Sequence, residues 1–99
     1  MLMITVPFAL ACEPPLQPGH SPGYWKHNVR VYVEGRGSYS GGENAVSMES
    51  YEAYIIENIA PSFTLEWANM IFWSKSYKYM RLTVANWFNE AAGLAPYFD

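Results

Sequence analysis

From Pro22 onward, apolar side chains recur three and four positions apart, the spacing of one face of a helix. Trp25, Val29, Tyr32 and Val33 form the first series. Ser21 is a preferred N-cap, Pro22 suits the first helical position, where its absent N–H costs nothing, and Gly35 can close the helix in the left-handed conformation. This phase turns Tyr24, Trp25 and Val29 to the core and Lys26 and Arg30 to solvent. The β-branched Val29, Val31 and Val33 leave a strand open as the alternative.

A second helix is predicted from Ser47, as its cap, to about Ile59. Met48, Tyr51, Ile55 and Ile59 share a stripe, Glu49, Glu52 and Glu57 lie off it, and Pro61 follows. Thr64 can cap a third, LEWANMIFW. Its Leu65, Ala68, Ile71 and Phe72 make one face, which Trp67 and Trp73 widen until the element is apolar nearly all round. Such a helix belongs at the centre or in an interface. Ser76 can cap a fourth, with Met80, Val84, Trp87, Phe88 and Ala91 on its stripe and Gly93 beyond it. The closing LAPYFD is expected to fold back onto the domain. Between the first two helices, GRGSYSGGENAV (residues 35–46) reads as a flexible surface loop. No GK[ST] follows it, and it lacks the acidic ladder of a calcium loop. No internal repeat is present. The fold class is all-α, about four short helices in one small domain over residues 21–99, with an extended amino-terminal arm or strand.

That arm is MLMITVPFALA (residues 1–11), followed by a proline-rich linker over residues 12–20. The run is too short and too interrupted by Pro7 to span a bilayer. Ala9-Leu10-Ala11 before Cys12 fits the cleavage rule of a secretory signal, yet no Lys or Arg precedes the apolar stretch. As an arm, its Leu2, Ile4, Val6, Phe8 and Leu10 must be buried on their own domain or on a neighbour.

Composition sharpens the picture. Of 99 residues 17% are aromatic and only 15% charged, more adhesive surface than a lone monomer of this size needs. A net charge of −3 argues against nucleic acid as a partner, and Lys75, Lys78 and Arg81 read as a solvated helix face. The single cysteine, Cys12, forbids an internal disulfide.

HSPGYWKHN (residues 20–28) crowds two histidines, two aromatics, a lysine and an asparagine into nine positions. Cys12, His20 and His27 match no zinc spacing. Ser21 beside His20 lacks an acid to orient the imidazole, since the one aspartate is Asp99. No catalytic, cofactor or metal residues are assigned, and no enzyme is expected. The motif is read instead as a helix cap and core element: Ser21, Pro22, Gly23, Tyr24 and Trp25. Tyr39, Trp73, Tyr77 and Tyr79 are left over from the core stripes as candidate interface aromatics.

Ser21 to Asn28, with Asn86–Asp99 (NWFNEAAGLAPYFD), resembles a module of secreted, cell-surface and virus-associated proteins. Its mark is a small residue, Pro, Gly, an aromatic, Trp, Lys, then His or Asn. The resemblance implies a virion or extracellular setting and a structural or adhesive task. The expected function is a structural subunit of a homopolymeric assembly, with copies of itself or other structural subunits as partners. A surface-anchored module that binds carbohydrate through its aromatics is the alternative.

Overall fold

A computed structural model describes residues 15–98. The predicted arm, with Leu2, Ile4, Val6, Phe8 and Leu10, lies outside the described residues, as does Cys12. Four helices follow: α1 (Pro22–Glu34), α2 (Ala45–Asn58), α3 (Leu65–Trp73) and α4 (Lys78–Ala91). Among the described residues there is no strand, so the valines of α1 take the helical alternative.

The start of α1 follows its sequence signals. Ser21 has an extended backbone and its side chain accepts from the Tyr24 N–H, Pro22 opens the helix, and Gly35 closes it at φ 70°. Trp25, Val29 and Val31 are buried, and Val31 had no place in the predicted stripe. Val31 lies outside the central cluster and stands beside Gly37 of the following loop, so its burial comes from the loop folding back on α1.

Two caps differ from expectation. Asn44 caps α2, and Ser47 sits three residues inside as the reciprocal half of a capping box: the Asn44 side chain accepts from the Ser47 N–H, while the Ser47 hydroxyl accepts from the Asn44 N–H. Tyr77, not Ser76, precedes α4 and supplies no side-chain cap, while the Ser76 N–H turns back to Ser74 Oγ at 3.2 Å. Thr64 caps α3 as expected.

The core is Trp25 and Val29 of α1, Met48 and Ile55 of α2, Phe63, Leu65, Ala68, Ile71 and Phe72 around α3, and Val84, Ala85 and Phe88 of α4. Trp25 stacks on Phe88 with ring centroids 5.1 Å apart, and Tyr51 stands edge-on to Trp25. The stretch before α1 lies on the domain: the Ala95 N–H donates to the Gln17 carbonyl, and a Cβ on Gly19 would collide with the Ala95 carbonyl oxygen. Asn86 holds the returning tail at Tyr97 by two hydrogen bonds, leaving Phe98 exposed.

Candidate functional site

Seven of the nine residues of the HSPGYWKHN motif, all but Pro22 and Gly23, have a side-chain partner within the fold. The buried Asn89 of α4 accepts from the His20 N–H at 2.8 Å and from Trp25 Nε1 at 3.0 Å, and donates to the His20 carbonyl and to Asn86 Oδ1. The His20 ring stacks on Tyr24 with centroids 3.8 Å apart. His27 Nε2 sits 2.6 Å from the Ser38 carbonyl. Buried Asn28 bonds both backbone groups of Ser40, accepting from its N–H at 2.8 Å and donating to its carbonyl. The loop expected to be flexible is therefore pinned at two points from α1.

Glu43 is a third anchor. Its carboxylate accepts from Tyr24 at 2.7 Å and from Tyr51 and Ser47 at 2.9 Å. Burial, then the hydrogen bond and charge of Glu43, push the Tyr51 hydroxyl up to about 12 and that of Tyr24 higher still. At the surface, Tyr32 bonds Glu49 and Tyr54 bonds Glu90, and each carboxylate raises the pKa of its phenol. The motif is a packing centre held by the hydrogen bonds of Ser21, Tyr24, Trp25, His27 and Asn28 and by the stacked His20 ring. Among the described residues no three His, Cys, Asp or Glu side chains gather about a common point.

Asn28, Asn86 and Asn89 escaped the sequence reading because buried asparagines look like ordinary polar positions. The available signal was phase: Asn89 lies four residues after Ala85, on the stripe that also holds Phe88.

The predicted interface aromatics divide. Trp73, Tyr77 and Tyr79 are exposed together at the α3–α4 corner, Tyr79 at 86%, with Met70 and Met80 also exposed on the same two helices. Tyr39 is half-buried and packs against the core, because the clamp on Ser40 draws its loop inward. Lys26 and Arg30 do not simply project to solvent. Lys26 Nζ lies 3.8 Å and Arg30 Cζ 4.6 Å from the centroid of the Trp73 ring. Lys78 and Arg81 are not merely a solvated helix face either: with Lys26, Tyr79 and Leu82 they line a cleft of about 380 Å³ between the starts of α1 and α4.

A second concavity, about 370 Å³, is apolar and walled by Phe63, Trp67, Met80 and Trp87. Trp67 and Trp87 stack there with centroids 6.2 Å apart. Trp87 also lines an adjoining hollow, together with Leu16, Asn86 and Glu90. No helix among the described residues is long and apolar enough to cross a membrane. Comparison of the chain with protein-family models, curated proteins and solved structures finds no match.

Proposed function

We propose that the protein is a non-enzymatic structural subunit of a homopolymeric assembly, a virion component or an extracellular filament. In it the apolar arm of one copy lies in the tryptophan-walled groove of the next. One observation carries the reading: Leu16, a few residues after the arm, lines a hollow together with Trp87, the residue that also walls the apolar groove. The groove offers aromatic and methionine surface, and the arm brings Leu2, Ile4, Val6, Phe8 and Leu10. Each such side chain buried contributes about 1.5–3 kcal/mol before ordering costs. Fourteen residues precede Pro15 and can span at most about 50 Å, enough to reach a neighbouring copy. The resemblance to secreted and virus-associated modules agrees with such a role.

The carbohydrate reading has less support. Lys26 and Arg30 pack on the ring of Trp73, leaving it less free to stack on a sugar. The cleft and the groove have no carboxylate or amide in their linings, and those in the hollow beside Leu16, Glu90 and Asn86, already bond Tyr54, and Asn89 and Tyr97.

Intact mass and light scattering on the native protein test the proposal. The expected result is a chain that retains residues 1–11 in a large assembly, which deletion of those residues dissolves. A chain beginning at Cys12 and running as a monomer would contradict it.

A further inference from the structure

The chain carries six cations against nine acidic residues, yet five of the six collect at one corner. Lys26 and Arg30 lie over Trp73, Lys75 follows in the turn, and Lys78 and Arg81 line the cleft with Lys26. Among the described residues the one ion pair is Arg36–Glu34, and of the five cations only Arg30, one turn before Glu34, feels that carboxylate. Glu43, Glu49 and Glu90 accept instead from tyrosine hydroxyls. No carboxylate lines the cleft. The positive charge of Lys26, Lys78 and Arg81 is left for something outside the fold.

The same corner exposes Met70, Trp73, Tyr77 and Tyr79. Cations interleaved with tryptophan and tyrosine, whose rings are apolar in body and polar at the edge, suit the boundary between headgroups and acyl chains. The exposed Met70 favours acyl chains over a purely polyanionic partner, which gains nothing from it. The uncapped start of α4 agrees with this: a tyrosine stands where Ser or Asp would stabilise the helix.

We propose that the α3–α4 corner docks on the surface of an anionic lipid membrane, a headgroup phosphate seating in the cleft of Lys26, Lys78 and Arg81 while Trp73, Tyr77 and Tyr79 lie at the headgroup level. Contact is peripheral and independent of the arm.

Flotation of the full chain with vesicles of phosphatidylserine and phosphatidylcholine, against vesicles of phosphatidylcholine alone, tests it. Binding to the anionic vesicles is expected to weaken with salt. The double variant Lys78→Gln/Arg81→Gln should weaken it by at least about tenfold, from the attraction lost with two charges. Arg36→Gln, away from the corner, should leave it unchanged. The fluorescence difference between the protein and its Trp73→Phe variant should shift to the blue on binding. Equal flotation with neutral vesicles, or indifference to the double substitution, would overturn the proposal by showing that the apolar arm inserts instead. A Trp73 signal that answers inorganic phosphate but not vesicles would overturn it by reducing the corner to a free-anion site. A second copy or a sulfated polymer bound there in place of vesicles would do the same.

Discussion

The Asn89 carboxamide uses both of its ends, its oxygen accepting from the His20 N–H and Trp25 Nε1, its nitrogen donating to the His20 carbonyl and Asn86. It thereby joins the stretch before α1, the central tryptophan and, through Asn86, the returning tail at Tyr97. Truncating it leaves the Trp25 N–H buried without an acceptor, so Asn89→Ala is expected to lower stability by about 2–4 kcal/mol in urea denaturation. Tyr51 sets a limit at high pH. Its hydroxyl is held neutral up to about 12 when folded, against 10.0 ordinarily. A raised folded pKa means that this contribution is fully present below pH 10 and is lost as pH rises through 12; the Tyr24 hydroxyl moves in the same direction. Ultraviolet titration of the phenols should therefore show a late fraction that ionises together with unfolding. Glu43→Gln should move that fraction earlier, and an unmoved titration would count against the Glu43 anchor.

At the scale of elements, the four helices were legible because each combines an apolar stripe with end signals that agree. Ser21, Pro22 and Gly35 bracket α1, and Thr64 opens α3. The caps that sequence misplaced lie where several hydroxyl and amide residues compete. Asn44 and Ser47 share one capping box, so either reads as the start of α2. Ser74 and Ser76 bond each other ahead of α4. Thermal unfolding separates these roles. Ser21→Ala should lower stability by about 1 kcal/mol, whereas Ser76→Ala, whose side chain caps nothing, should fall within about 0.5 kcal/mol of the parent. The site was legible only in part. Trp73, Tyr77 and Tyr79 were recognisable as surplus to the core stripes. Their grouping with Lys26 and Arg30 depends on how α1 crosses α3, which no local spacing encodes.

For the whole molecule, the small net charge of −3 hides a division of surfaces: a cationic, aromatic corner at the α3–α4 turn, and an apolar groove along Phe63, Trp67, Met80 and Trp87. The assembly account assigns that groove to the arm of another copy. Cross-linking tests this most directly, using two variants mixed in a Cys12→Ser background, one with Leu10→Cys and the other with Met80→Cys. Oxidation of the mixed assembly should join the two variants into a covalent dimer, which reducing agent separates. A mixture that assembles normally but yields no bond between the two variants would contradict the account.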